Sequence, residues 1–316
     1  MRIYSSLDEV DESLGRGRVV AIGVFDGVHR GHQRILSQAV GSAQETGALA
    51  AAITFYPHPE AVLRPKSAPR ILTTLERKAE LLESLGVDEL VVVRFDREFA
   101  RLSPESFCRV VLSHRLAARV VLVGENFHFG YRGAGTSVDL REYGRRHDFE
   151  VRSVTLAEEG GETISSTRIR RLLQAGHVVE AAWLLGRPHR IEGTVVSGAG
   201  RGRALDAPTA NLIPAQEMAL PRLGVYVSRS FVDGKDMHLS VTSVGTNPTF
   251  ETDKTVRVET LLIDHSGDMY GSHLAVDFLD RIRGQRTFPG AAALAVRIRR
   301  DIEIARMYAE HSPYPS

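Results

Sequence analysis

Residues 23–33 read GVFDGVHRGHQ, with glycines at 23, 27 and 31 and histidines at 29 and 32. An apolar run, RVVAIGVF, leads in and a helical pattern, RILSQAVGSA, leads out. Imidazoles three residues apart at a helix start face one side, beside the unpaired N–H groups of the first turn and the positive end of the helix dipole. Such a place holds phosphate. Gly23, Gly27 and Gly31 allow a tight turn and a close approach of ligand to backbone. An isolated H-x-x-H is more often two surface histidines, but the glycine-rich strand-to-helix setting favours the anion site. Zinc suits it poorly, because the chain has one cysteine, no H-E-x-x-H and no further ligand cluster to complete four-coordination.

Other stretches carry weaker chemical signals. In ISSTRIR (164–170), Ser166 and Thr167 precede Arg170 at a second helix start, as a cap before an amphipathic basic helix or as anion ligands. GAGRGRA (198–204) offers Gly198 and Gly200 to a backbone nest for phosphate. In PTAN, the Thr209 hydroxyl and the Asn211 amide oxygen suit a hard cation such as Mg²⁺, and a turn before a strand is the plainer reading. Glu259 alternates with Val258 in VETLLID, so a carboxylate can project from a strand into a cavity. No G-x-x-x-x-G-K-[ST] occurs.

The elements that must position these residues follow from the apolar pattern. At 316 residues, two domains are the default. RVVAIGVF (18–25), ALAAAITF (48–55), ELVVVRF (89–95), ARVVLVG (118–124) and FEVRSVT (149–155) are near-continuous apolar strands. They alternate with helical stripes through Ile35, Leu36, Ala39, Val40 and Ala43, and through Leu75, Ala79, Leu82 and Leu85. Ser103 and Pro104 signal a third helix start. This predicts a doubly wound α/β domain with a parallel sheet. The pattern changes at GRPHRIEG, so the boundary is set at 186, giving 1–186 and 187–316. Strands separated by short turns then predict an antiparallel barrel or sandwich, closed by a helix with Leu294, Ile298, Ile302 and Ala305 on one stripe.

Composition narrows the partners. With 40 basic and 39 acidic residues there is no charge excess to mark nucleic acid as a partner, and RIRGQR and RIRR read as solvated faces. No apolar run approaches the ~20 residues of a membrane span. MRIYSSLDEVDESLG lacks the apolar core of a secretory signal, and the single Cys108 reads as a buried structural thiol. These features predict a cytoplasmic protein with no membrane and no nucleic-acid partner.

The G-x-F-D-G-V-H-x-G-H stretch resembles the signature of nucleotidylyltransferases of the HxGH superfamily, the flavin branch in particular. TFYPHP (54–59), VGENFHFG (123–130) and ISSTRIR are similar to that branch in the same order. GTVVSGAGRGRAL, PTANL, GVYV, SVGTNPTF and VETLLID resemble the riboflavin kinase module. Nearly the whole chain thus resembles the prokaryotic bifunctional riboflavin kinase/FAD synthetase family. The resemblance implies an adenylyltransferase domain over 1–186, which makes FAD from FMN and ATP with release of pyrophosphate. It also implies a kinase β-barrel over 187–316, which makes FMN from riboflavin and ATP with Mg²⁺. By the same resemblance His29 and His32 meet the ATP phosphates, with Gly23, Phe25, Asp26, Gly31, Asn126, Ser166, Thr167 and Arg170 around the nucleotide. Phe55, Pro57 and His58 then line the flavin side. In the barrel, Gly198 and Gly200 hold ATP, Thr209 and Asn211 hold the metal, and Glu259 is the base. The alternative is transfer to another small phosphorylated acceptor, with a non-catalytic barrel. The chain departs from the family in having Asp206-Ala207 before PTAN, where Gly-Phe is usual, and His189 after GRP, where an aromatic residue is common.

Overall fold

A computed structural model describes residues 1–10, 15, 17–196, 209–215, 217–235, 237–246 and 256–311. Contacts divide the chain into two compact units, Met1–Ser166 and Thr167–Ser316.

In the first unit the chain runs β1 (Arg2–Tyr4), β2 (Arg18–Ile22), α1 (Arg30–Thr46), β3 (Leu49–Tyr56), α2 (Pro59–Leu63), α3 (Leu75–Ser84) and β4 (Glu89–Arg94). Next come α4 (Pro104–Ser106), which widens into a π-helical stretch over Phe107–Arg115, and β5 (Ala118–Gly124). The short pair β6 (His128–Phe129) and β7 (Gly135–Thr136), α5 (Ser137–Arg146), β8 (Glu150–Val154) and the pair β9 (Glu158–Glu159) and β10 (Glu162–Thr163) complete it. Six strands form one parallel sheet in the order β1-β4-β3-β2-β5-β8. All five strands expected from sequence are in it, and β1 joins them although its RIY is too short and too polar to read as a strand.

Both faces are covered, which is why these strands are apolar throughout. On β2, Val19 and Ala21 pack with Leu36 and Ala39 of α1, whereas Val20 and Ile22 pack with Phe107 and Leu112 on the other face. Helix α1 starts where His29 caps it and stops at Gly47, which is left-handed at φ 65° and donates its N–H to Ala43. Ser103 caps α4 as expected, its hydroxyl accepting from Ser106 N–H. At the edge where the strands begin, Arg18 Nε meets Glu89 Oε2 at 2.6 Å and the Tyr4 hydroxyl donates to Glu89 at 3.1 Å. This buried pair ties β1, β2 and β4 together.

The second unit carries α6 (Ser166–Ala175) beyond its first residue, then α7 (Val178–Leu185). The strands β11 (His189–Val196), β12 (Thr209–Pro214), β13 (Gly224–Val232), β14 (Met237–Thr246), β15 (Val256–Leu262) and β16 (His273–Arg283) precede the final helix α8 (Ala291–His311). The six strands close a barrel in the order β11-β12-β15-β14-β13-β16, so the expected β-barrel forms and no sandwich does. Val225, Val227, Val241 and Leu261 face outward against Ile298, Ile302 and Ala305 of α8, on the stripe expected for that helix. Alternate residues face inward, and there the core is unusually polar. Ser230, Ser240, Ser228, Thr242 and Thr260 are fully buried. Their hydroxyls form a chain with successive separations of 2.8, 2.9, 2.6 and 3.0 Å. Packing divides the chain earlier than residue 186: α7 lies on β16 and β11, and Arg222 N–H donates to Leu173 of α6.

Candidate functional site

The backbone after β2 does something ordinary residues avoid. Gly23 N–H still bonds Ile53, and then Phe25, Gly27 and Val28 all adopt positive φ, at 49°, 85° and 39°. For β-branched Val28 this is a strained conformation that the surroundings must enforce. Segment 72–78 supplies the restraint. Asp26 Oδ1 accepts from Leu72 N–H at 2.8 Å and Thr73 N–H at 3.3 Å, and Gly27 N–H donates to Thr73 Oγ1 at 3.1 Å. Lys78 Nζ donates to the Val24 carbonyl at 2.8 Å and to Thr54 Oγ1 at 3.1 Å.

The turn delivers the two histidines. His29 is buried and caps α1, its Nδ1 accepting from His32 N–H at 3.3 Å. The rings stack with centroids 3.6 Å apart, and Phe25 meets His32 edge-on at 5.3 Å. Gly31 permits this arrangement, since a Cβ there would stand 3.2 Å from the His29 ring. Burial first, then the neighbouring His29 and Lys78, hold the His32 pKa well below 6.5, so the ring is neutral at neutral pH. Its Nδ1 is buried and has no hydrogen-bond partner among the described residues.

The other expected residues of this unit fall into two groups. Gly23, Asn126 and Phe55 line a cavity of about 830 Å³, together with Val24. Its walls carry Phe95, Phe99, Phe107, Phe127 and Phe129, whose rings run in contact at 5.6 to 6.2 Å. Arg64, Arg97, Arg101 and Arg132 also line it. The contributing loops follow β2, β3, β4 and β5, the end of a parallel sheet where ligands bind. Phe25 is fully buried and braces His32, and the Asp26 carboxylate braces residues 72 and 73, so neither presents its side chain to that cavity. Pro57 and His58 do not line it: His58 caps α2, its Nδ1 accepting from Glu60 N–H at 3.2 Å. Ser166 donates to the Asp26 carbonyl at 2.8 Å, whereas Thr167 and Arg170 belong to the second unit.

In the barrel, register gathers the expected residues. Asn211 pairs with Glu259, and Thr209 with Leu261, which puts all three candidate side chains on the outer face of adjoining strands. Glu259 is exposed and Thr209 and Asn211 are half-buried, so the carboxylate points away from the hydroxyl-filled interior. The Thr209 hydroxyl and the Asn211 amide oxygen are hard oxygen donors that suit Mg²⁺, and the Glu259 carboxylate stands on the same wall. Gly198, Gly200 and Asp206-Ala207 lie outside the described residues.

Sequence reasoning missed Lys78 and the pocket arginines. Lys78 sits within the apolar stripe of α3, between Leu75 and Leu82, and its neighbours in space come from the loop after β2 and from β3.

Residues 11–168 match the family model described as FAD synthetase, and residues 185–309 match the one described as riboflavin kinase. A bifunctional riboflavin kinase/FMN adenylyltransferase of Listeria monocytogenes is 36% identical over 301 residues, 94% of each chain. Its Escherichia coli counterpart is 33% identical over 308 residues, 98% of each. A solved structure from Streptococcus pneumoniae, named as a macrolide-efflux protein, is 31% identical with a TM-score of 0.85 and covers 96% of this chain and 98% of its own. Among the described residues of this chain, no helix is long and apolar enough to cross a membrane.

Proposed function

Because the chain belongs to the bifunctional riboflavin kinase/FMN adenylyltransferase family, phosphorylating riboflavin and adenylylating FMN, we propose how its residues divide the two reactions. Adenylyl transfer is assigned to 1–186 and phosphorylation to 187–316. The observation that carries the first assignment is the stacked His29–His32 pair at the start of α1.

In adenylyl transfer an FMN phosphate oxygen bonds to the α-phosphorus of ATP, the bond from that phosphorus to the bridging oxygen breaks, and pyrophosphate leaves. No covalent enzyme intermediate is needed, so the protein's work is alignment and charge stabilisation. His29 and the first turn of α1 offer donors to the phosphates. With Nδ1 of His32 enclosed and unpartnered, its single proton belongs on Nε2, which makes the neutral ring a donor there. The phenylalanine-walled cavity suits a flat tricyclic ring, and Asn126, which lines it, is assigned to the reacting phosphates.

In phosphorylation, Glu259 takes the proton of the riboflavin ribityl hydroxyl as its oxygen attacks the γ-phosphorus and ADP leaves. Thr209 and Asn211 would hold Mg²⁺, which would supply positive charge against that of the phosphates.

The test is the variant His29→Ala, assayed for both products. FAD formation should fall about 100-fold, the usual loss for one donor to a charged transition state, while FMN formation continues. Equal loss of both activities would count against separate sites.

A further inference from the structure

Lys78 has no place in either reaction as assigned, yet it is a buried cation held by hydrogen bonds to the active loop. We propose that Lys78 is a positioning residue for adenylyl transfer: its ammonium group grips Val24 and Thr54, fixes the loop between the flavin cavity and the histidine pair, and sets a positive charge beside that pair.

Three observations converge on it. Val24 lines the cavity, so the carbonyl that Lys78 holds belongs to a residue of the cavity wall. Phe25, the next residue, adopts positive φ, as does Val28 three residues further on, so the grip on Val24 sits at the start of the strained turn. The charge is also not required by the local hydrogen bonding. Thr54 Oγ1 donates to the Val24 carbonyl at 2.9 Å by itself, so removing the ammonium orphans neither group.

Burial moves the Lys78 pKa from 10.5 down to about 8, against the pull of Asp26. Folding therefore bears the cost of that charge in full below pH 8 and is relieved of it as pH rises toward 10.5. The titratable groups facing this ammonium are Asp26, which favours it, and His32, whose protonation it opposes. Buried charge kept at a cost to stability beside a reactive site points to a role in the reaction.

The proposal rests on adenylyl transfer at residues 23–33, and the whole chain carries an internal control in its kinase activity. Lys78→Met should lower kcat for FMN adenylylation by about 10- to 100-fold, the scale of a misplaced reacting group, leave riboflavin phosphorylation unchanged, and keep Tm at pH 7 equal to or above the parent. Adenylylation by the parent should decline above pH 8, and the variant should lack that decline. Undiminished adenylylation in Lys78→Met, or a joint fall of Tm and both activities, overturns the proposal. His29→Ala runs in parallel: if it leaves FAD formation intact, the site assignment itself fails, whereas a slow His29→Ala beside a normal Lys78→Met removes only the role of Lys78.

Discussion

His32 shows what a single residue's surroundings do to its chemistry. A ring stacked on His29, edged by Phe25 and enclosed at Nδ1 resists a proton, so the folded chain binds one less readily than the unfolded chain does. The sign follows from linkage: above pH 6.5 neither state is charged and there is no penalty, and below it stability falls as acid protonates the unfolded chain first. Melting curves from pH 7 to 5 should show this decline, and His32→Gln should flatten it. Cys108 is the opposite kind of group. Burial pushes its thiol up to about 12, so a thiol reagent should label it only after unfolding, and rapid labelling of the folded chain would contradict the buried placement. Sequence revealed His29 and His32 because their spacing among glycines is itself the signal. It concealed Lys78, because a lysine within an apolar helical stripe reads as a solvated side chain. It also concealed the phenylalanine and arginine lining, which the end of β3 and the segments following β3, β4 and β5 bring together from residues 55 to 132.

At the scale of elements, two buried polar assemblies hold the scaffold. Arg18, Glu89 and Tyr4 join three strands at the sheet edge remote from the site. Glu89→Ala removes the carboxylate that neutralises the buried Arg18 guanidinium and should cost about 3–5 kcal/mol by chemical denaturation, with kinase activity retained where the chain stays folded. In the barrel, Thr242 links Ser228 and Thr260, so Thr242→Val deprives Thr260 of its partner in the chain and should cost about 1–3 kcal/mol. The long apolar strands and the capped helices were legible from periodicity and cap residues. The strand β1 was not, since pairing with β4 rather than composition makes it a strand. Nor was the hydroxyl chain, because serines and threonines alternating with valines read as a solvent face until the barrel closes.

For the whole molecule, the change of pattern near residue 186 and the division by packing at 166 answer different questions. Composition marks where strands replace helices, but α6 and α7 bury Leu173, Leu184 and Leu185 in the second unit. A fragment spanning 167–316 should therefore melt above one spanning 187–316, and equal melting would mean that these helices add nothing to the barrel. The central claim is that one chain runs two reactions with separate residues. Chromatography of products formed from riboflavin, ATP and Mg²⁺ tests it most directly. The parent should yield FMN and then FAD, and Glu259→Ala should yield neither from riboflavin yet still convert supplied FMN to FAD. Normal FMN formation by Glu259→Ala, or loss of both conversions, would contradict it.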